Sequence, residues 1–253
     1  MKEMQPALMD VYERLRERFG HAGWWPARTR FEVCLGAILT QNTAWPNVEK
    51  ALRSLRARRW LSFRALNGLS AERLAPVLRS AGTYRVKARR VAAFVEFLGR
   101  AYGGRVTKMA GRDAASLRAE LLAVHGIGRE TADAIALYAA GRPLFVIDAY
   151  TRRVFARLGL VGGTEPYDEL QRYFMDRLPC SAPLFNDYHA QIVRLAKDHC
   201  RTRPACGGCP LEDLCPKRGV SLSPSSPSPR RPRPAPRPPR PPSGRTGAMA
   251  RRS

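Results

Sequence analysis

The 253-residue sequence is poor in acidic residues and in lysine. It has 21 Asp and Glu against 44 Lys and Arg, which gives a net charge of +23, and six of the basic residues are Lys. This balance excludes an acidic surface and favours a polyanionic partner, nucleic acid first and an anionic membrane second. Because lysine is scarce, we expect arginine to make nearly all phosphate contacts.

Long apolar runs are also missing. No stretch reaches the roughly 18 apolar residues typical of a membrane-spanning helix. The N-terminal segment MKEMQPALMD lacks the apolar core of a signal peptide. We therefore expect a protein that binds no membrane and works in the cytoplasm, on the nucleoid.

The third absence is sustained alternation of apolar and polar residues, which disfavours β-strands. Apolar residues recur instead at helical spacing, as in the segment 5–19. Further helices are expected at 113–123, 129–140, 149–158, 165–178 and 184–199. The sequence thus predicts an all-α protein without internal repeats.

A glycine turn, Gly126-Ile127-Gly128, separates two of these expected helices. Glycine allows a tight turn and a close approach of the backbone, and the helix that begins at about Arg129 presents free N–H groups to an anion. If the anion is a DNA phosphate, the segment is a helix-hairpin-helix that holds the backbone without reading bases. Ile127 would pack inward and brace the turn.

Asp148 ends the apolar run Leu144–Ile147 and precedes another helical pattern. It is therefore expected to cap that helix, whose dipole stabilises the charged carboxylate. Taken alone, the position predicts a structural cap and nothing more.

The spacing of these two features adds a resemblance. A GIGxxTA hairpin, followed 20 residues after Gly128 by an Asp, resembles the helix-hairpin-helix (HhH-GPD) DNA glycosylases of the endonuclease III superfamily, from about Trp24 to Cys215. The resemblance implies that Asp148 drives cleavage of an N-glycosidic bond in double-stranded DNA with a damaged base. We expect the protein to act as a monomer.

The chain departs from the bifunctional members of that family at one position. Those members carry Lys two residues after the second hairpin glycine, where this chain has Glu130. A carboxylate cannot form an imine, so the lysine-based lyase route is missing and a monofunctional glycosylase is expected.

Two loops resemble the segments that these glycosylases insert into the duplex. The first contains Gln41 and Asn42, and Gln41 would fill the gap left by the extruded base. The second contains Thr83, Tyr84 and Lys87. The basic run that starts at Lys87 is typical of a solvated helix face, and on this loop it is expected to meet phosphates as well.

Three tryptophans, Trp24, Trp25 and Trp45, are expected to line the base pocket, although packing at a domain seam is the alternative for the first two. Stacked aromatic rings suit a cationic alkylated base. Aromatics here and an acidic residue in the hairpin resemble the 3-methyladenine branch of the family. That branch also suggests a pocket contact for Lys197, whose alternative is a surface charge.

Four cysteines follow the pattern Cys200-x5-Cys206-x2-Cys209-x5-Cys215. Four thiolates at such spacings suit a 4Fe–4S cluster or a zinc ion, and disulfides are not expected inside a cell. The family carries a 4Fe–4S cluster here with one more residue in the first gap, so the resemblance favours iron–sulfur over zinc.

Two helical domains with a cleft between them are expected. A six-helix barrel with the hairpin spans 23–143, and the cluster domain combines 1–22 with 144–216. Residues 219–253 contain ten Pro, eight Arg and no acidic residue, a composition that predicts disorder.

Two other functions remain open from the sequence. One is an endonuclease III-like glycosylase and lyase for oxidised pyrimidines. The other is a non-catalytic protein that binds abasic or distorted DNA, for which Glu130, Thr83 and Tyr150 (a His in many bifunctional relatives) are the supporting departures.

Overall fold

The computed structural model describes residues 7–22, 25 and 27–220, and this part of the chain contains helices and no strand. Trp24 and the Pro- and Arg-rich tail lie outside the described residues, apart from residues 219 and 220. The α-helices are α1 Leu8–Phe19, α2 Arg30–Leu39, α3 Trp45–Ala57, α4 Phe63–Leu66, α5 Ala71–Leu74, α6 Tyr84–Tyr102, α7 Ala114–Leu122, α8 Arg129–Ala134, α9 Ala149–Arg157, α10 Tyr167–Met175 and α11 Ala182–Asp198. The predicted all-α class is confirmed.

Three short segments depart from α-helical geometry. Ala75–Ala81 and Val106–Gly111 are 3₁₀ helices, and Ile135–Ala139 is a π-helical continuation of α8. A π-helical turn shifts the side chains that follow it and often occurs at functional sites. Here it carries Tyr138, which belongs to the site described below.

Helix ends are set by local chemistry. Four helices begin at a side chain that accepts a hydrogen bond from a backbone N–H in the first turn. These caps are Thr29 for α2, Asp113 for α7, Asp148 for α9 and Ser181 for α11. Such caps satisfy donors that a helix cannot satisfy itself. The capping function predicted for Asp148 is therefore present in the structure.

An aromatic core supports the segment that leads to Asp148. The Phe145 ring stacks on Phe174 with centroids 4.5 Å apart, and it also meets Phe185 and Tyr188 edge to face. Such pairs add stabilisation beyond the area they bury. They anchor the backbone three residues before Asp148 to α10 and α11.

Helix α11 contacts α1, α9 and the π-helical segment, while α2 contacts that segment and α6. The expected division into a barrel domain and a cluster domain stays a prediction. None of the helices in the described residues is long and apolar enough to cross a membrane.

Candidate active site and DNA-contacting hairpin

The hairpin turn uses its two glycines differently. Gly126 has a φ of +79°, and a Cβ there would collide with the side chain of Arg90, whose Cδ would lie 2.8 Å away. Gly128 is the N-cap of α8 with a φ of −89°, and a Cβ there would meet nothing within 4 Å. Ile127 is buried, as predicted. The first glycine thus serves the turn, and the second leaves open space in front of the α8 N-terminus.

Gln41 is bonded to this hairpin. Its Nε2 donates to the Gly126 carbonyl at 3.0 Å and to Thr131 Oγ1 at 2.9 Å, and its Oε1 accepts from Arg90. Next to it, Asn42 is exposed with a left-handed φ of +50°. The structure therefore brings the first predicted insertion loop and the hairpin together into one surface.

Arg129, at the start of α8, is 59% exposed and forms an ion pair with Asp168 at 2.8 Å. Arg118 joins Asp168 to the fully buried Asp133, at 2.6 and 2.8 Å respectively. Burial raises the pKa of Asp133 even though Arg118 opposes the shift. Arg129 can exchange a carboxylate for a DNA phosphate, since both are oxyanions.

Asp148 uses its two carboxylate oxygens for different contacts. Oδ1 accepts from the Thr151 N–H at 2.7 Å and from Thr151 Oγ1 at 2.9 Å. Oδ2 lies 3.5 Å from His189 Nε2, and the side chain is 15% exposed. Burial raises the pKa of Asp148, but attraction to His189 and the hydrogen bonds from Thr151 outweigh burial, so the pKa lies below its ordinary value. The carboxylate is therefore ionised at neutral pH.

Glu130 lies close enough to Asp148 for the two charges to interact. Although Glu130 is exposed to solvent, the surrounding protein and then the charge of Asp148 raise the pKa of its carboxyl, while His189 and Arg152 oppose the shift. The hairpin position that carries an amine in bifunctional relatives thus presents a second carboxyl group to Asp148.

An aromatic group is connected to Asp148 through His189, whose Nδ1 lies 2.7 Å from the Tyr138 hydroxyl. The Trp25 ring is 5.1 Å from Tyr138 and 5.5 Å from Trp45, measured between centroids. Trp25 also packs against Gly36, where a Cβ would lie 3.1 Å from the indole. Its φ of +81° is rare for a bulky residue, and such strain is concentrated at functional sites. Two of the three predicted pocket tryptophans are therefore in contact.

A family model for HhH-GPD superfamily base excision DNA repair proteins matches residues 35–180, more than half of the chain. This chain belongs to the HhH-GPD superfamily.

Relatives of this HhH-GPD protein include MJ1434 of Methanocaldococcus jannaschii, which is named as a candidate DNA repair glycosylase. It is 42% identical over 81% of this chain and 94% of its own length. Endonuclease III of Bacillus subtilis is 30% identical over 57% of this chain and 62% of its own length. The membership identifies the chain as a base excision repair DNA glycosylase.

Two solved structures share the fold. An endonuclease III–DNA complex superposes with a TM-score of 0.71 at 24% identity, over 83% of this chain and 94% of that one. The Helicobacter pylori 3-methyladenine DNA glycosylase bound to 1,N6-ethenoadenine gives a TM-score of 0.66 at 26% identity, over 76% and 98%. The first of these structures is a complex with DNA, and the second contains a bound modified base.

The prediction that Lys87 lies on a solvated helix face and meets DNA phosphates is wrong. Instead of lying on a solvated helix face, its side chain is fully buried, and Nζ donates to Leu39 O at 2.8 Å, Ala81 O at 2.6 Å and Thr43 Oγ1 at 2.5 Å. Burial and then the charge of Arg90 lower the pKa of Lys87 to about 8. All three donors are used internally, so Lys87 joins the two loops and does not face a phosphate.

The rest of the second loop is at the surface. Thr83 is exposed. The half-buried Tyr84 ring has the guanidinium groups of Arg79 and Arg85 over it, at 5.9 and 5.5 Å from its centroid. Lys197 is exposed on α11, eight residues and about 12 Å of helix rise beyond His189.

The four cysteines predicted as metal ligands are half-buried and form no disulfide. Burial and then the thiolate charges of Cys200, Cys215 and Cys206 raise the pKa of Cys209 to about 11. Within residues 7–22, 25 and 27–220, no group of three or more His, Cys, Asp or Glu is arranged to hold a metal ion. The four thiols are chemically suited to bind an iron–sulfur cluster or a zinc ion, but their side chains are not arranged as a metal-binding group.

Two residues of the site were missed by sequence reasoning. His189 lies on the apolar face of α11 and contacts Tyr138 through Nδ1 at 2.7 Å. Both residues occur in predominantly apolar helical patterns, which indicate core packing. The spacing of His189 from Tyr188 and Ile192 could have shown that it is buried, but not what it faces.

Proposed function

We propose that this HhH-GPD protein is a monofunctional DNA N-glycosylase that removes alkylated purines, such as 3-methyladenine, from double-stranded DNA. The observation that carries the proposal is that Glu130, two residues after Gly128 in the first turn of α8, lies near enough to Asp148 for the charge of Asp148 to raise the pKa of Glu130. The hairpin position from which a lysine would attack the sugar holds a carboxyl group, and a carboxyl group forms no imine.

Asp148 performs the chemistry in this proposal. Its ionised carboxylate stabilises the positive charge that develops on the sugar as the base leaves, or it takes a proton from the attacking water. Either function requires the charged form, which its lowered pKa maintains at neutral pH. Glu130 adds negative potential beside the same sugar when it is ionised.

The aromatic group supports the proposed substrate class. A purine alkylated on a ring nitrogen is cationic, and a cation is attracted to the faces of Trp25, Trp45 and Tyr138. The similarity to a 3-methyladenine glycosylase fold agrees with this assignment. Trp24 and Lys197 are proposed to complete the pocket.

DNA is proposed to bind across the surface formed by the hairpin and the first loop. The backbone N–H groups that follow the turn Gly126-Ile127-Gly128 would hold one phosphate. Arg129 would leave Asp168 and bind a second phosphate. Gln41 would leave its hairpin bonds to fill the gap beside the extruded base, assisted by Asn42. Thr83 and Tyr84 would contact the same duplex.

The proposed cofactor is a 4Fe–4S cluster held by Cys200, Cys206, Cys209 and Cys215, with zinc as the less favoured occupant. Four thiolates form the usual ligand set of such a cluster, which here would staple the segment after α11. Arg157 donates hydrogen bonds to Cys200 Sγ and to the Thr202 carbonyl, and it would neutralise part of the negative charge of the cluster and its thiolates. The protein is proposed to act as a monomer on nucleoid DNA.

The test is base release from a panel of duplexes that contain single alkylated, oxidised or deaminated bases, analysed with and without alkali. Release of 3-methyladenine, with strand cleavage only after alkali, supports the proposal. Cleavage without alkali, together with a borohydride-trapped complex, would refute the monofunctional assignment.

A second candidate is a glycosylase and lyase for oxidised pyrimidines, favoured by the endonuclease III relatives. The same panel separates it, because it would release oxidised pyrimidines and be trapped by borohydride. Tight binding to abasic DNA without release of any base would instead indicate a non-catalytic binder.

A further inference from the structure

His189 contacts the carboxylate oxygen of Asp148 that is not bonded to Thr151. Its ring is 7% exposed, and Nε2 lies 3.5 Å from Asp148 Oδ2, beyond the ordinary range of a hydrogen bond. Nε2 is buried and has no hydrogen-bond partner in the structure. A buried polar atom without a partner is costly, so its position next to a reactive carboxylate calls for a functional explanation.

The other ring nitrogen of His189 is firmly held. Nδ1 lies 2.7 Å from the Tyr138 hydroxyl, and the Tyr138 ring packs on Trp25. Tyr138 stands on the π-helical segment, which continues from the helix that carries Glu130. A continuous chain of contacts therefore runs from the aromatic group through Tyr138 and His189 to Asp148.

The Tyr138 contact determines which nitrogen of neutral His189 carries the proton. When the tyrosine O–H donates to Nδ1, the ring proton must reside on Nε2. Nε2–H then faces Oδ2 of Asp148 and stabilises the carboxylate. Without the hydroxyl, the ring can take the other tautomer and turn a lone pair toward a negative charge.

The geometry also leaves Asp148 free to react. Oδ1 is committed to both Thr151 donors, so Oδ2 is the oxygen available to a sugar or a water. Each carboxylate oxygen has two lone pairs, and His189 occupies at most one of those on Oδ2. The other lone pair keeps a fixed direction. Hydrogen bonds that are long in a free enzyme commonly shorten once substrate is bound.

We infer that His189 is a positioning residue for Asp148, with Tyr138 fixing its tautomer, so that the wall of the base pocket and the reactive carboxylate are coupled. The inference deepens the proposed glycosylase function and rests on it. The two fixed contacts, Thr151 on Oδ1 and His189 on Oδ2, orient the carboxylate for the sugar of the base that Trp25 and Trp45 would hold.

The other charged groups around this contact are Glu130 on α8 and Arg152 on α9, which act in opposite directions. Arg152 Nη1 donates to the Glu165 carbonyl at 2.6 Å, which fixes its place. His189 also lowers the pKa of Glu130, so the titration of Asp148 is compared in wild type and in the Glu130→Gln background. A change that persists without the Glu130 charge reports on the direct contact between His189 and Asp148.

The first experiment measures that titration without requiring activity. The carboxyl ¹³C signal of Asp148, assigned by its loss in Asp148→Asn, is followed against pH in the wild-type protein and in His189→Leu. The apparent pKa of Asp148 should rise in the variant, because an attractive contact with the charged form is lost. An unchanged Asp148 titration in a folded variant would overturn the inference.

Tyr138→Phe supplies a second variant that removes only one oxygen and should fold. It should raise the same pKa by less than His189→Leu does. His21→Gln is the matched control, since His21 is an exposed histidine that contacts Asp187 and not Asp148. An Asp148 titration that moves equally in the control would also overturn the inference.

The second experiment measures single-turnover base release against pH on the substrate found in the lesion panel. His189→Leu should release base about 10- to 100-fold more slowly, with the acidic limb shifted to higher pH, and DNA affinity should stay within about twofold. His189→Gln, which keeps an N–H donor, should restore part of the rate. A uniform loss with an unmoved acidic limb would mean a structural function only.

The two experiments fail in different ways. If the wild-type protein releases no base from any lesion, the proposed function fails while the titration still tests the contact. If base is released and the Asp148 titration is the same in wild type and His189→Leu, the inference fails alone.

Discussion

Replacing the two hairpin glycines by alanine, one at a time, separates the folding function of the turn from its DNA-binding function. Gly126 has a φ of +79° and faces the side chain of Arg90. Gly128 has a φ of −89° and faces open space. The two substitutions add the same methyl group two residues apart, so each serves as the control for the other.

Gly126→Ala should destabilise the protein through two effects. A left-handed backbone costs an L-residue about 1–2 kcal/mol. The new Cβ also displaces Arg90, which loses its bond to Gln41, at about 1 kcal/mol. The sum is about 2–3 kcal/mol, and a chain of this size loses about 2–4 °C in Tm per kcal/mol. We expect Tm to fall by about 4–12 °C.

Gly128→Ala should leave Tm nearly unchanged, because an alanine is unstrained at this φ and its methyl group touches nothing. The gain from a less flexible unfolded chain roughly offsets the poorer N-cap, each about 0.5–1 kcal/mol. The methyl group would, however, stand where a phosphate approaches the α8 N–H groups. Losing a hydrogen bond to a charged group weakens binding by about tenfold or more.

Thermal melts of both variants and fluorescence anisotropy with an abasic-site duplex at fixed salt measure the two effects. The double variant Gly126→Ala/Arg90→Ala should recover about 1 kcal/mol relative to additivity, since the collision is gone and only the backbone cost remains. An equal loss of Tm in the two single variants, or an unchanged Tm in Gly126→Ala, would refute this account of the turn.

Three further predictions concern single side chains. Asp148→Asn keeps an N-cap and should still bind abasic duplex, while base release falls by at least about 100-fold; retained release would exclude Asp148 as the reactive group. Glu130→Lys places an amine beside Asp148 and should yield a borohydride-trapped complex that wild type lacks, as gel electrophoresis would reveal. Lys87→Met removes the donor to the buried Leu39 carbonyl and one of the two donors to the Ala81 carbonyl, which keeps Thr43 Oγ1, and should cost about 2–4 kcal/mol in thermal denaturation, whereas the exposed Lys108→Met should change stability by less than about 0.5 kcal/mol.

Much of the fold follows from local patterns. Apolar spacing and capping residues placed helices close to their observed bounds, as in the expected 149–158 against the observed Ala149–Arg157. The hairpin was equally local, because positive φ at Gly126 is a property that the residue type itself permits. The pairing of Trp25 with Trp45 was expected only through the family resemblance.

Lys87 shows where local patterns fail. A lysine followed by two arginines is typical of a solvated surface, yet Lys87 lies one helical turn before Val91 on the buried face of α6. A buried ammonium is tolerated when acceptors from other segments satisfy it. The carbonyls of Leu39 and Ala81 do so, and nothing in the sequence around Lys87 announces them.

The sequence by itself determined the helical class, the glycine turn, the charge that favours nucleic acid and the Asp that caps α9, because each depends on residues within a few positions of one another. Only the tertiary structure brought His189 and Tyr138 to Asp148, from 41 and 10 residues away along the chain. Contacts of that kind depend on how helices pack, and the direction of a side chain on a packed face is fixed by its neighbours in space rather than in sequence.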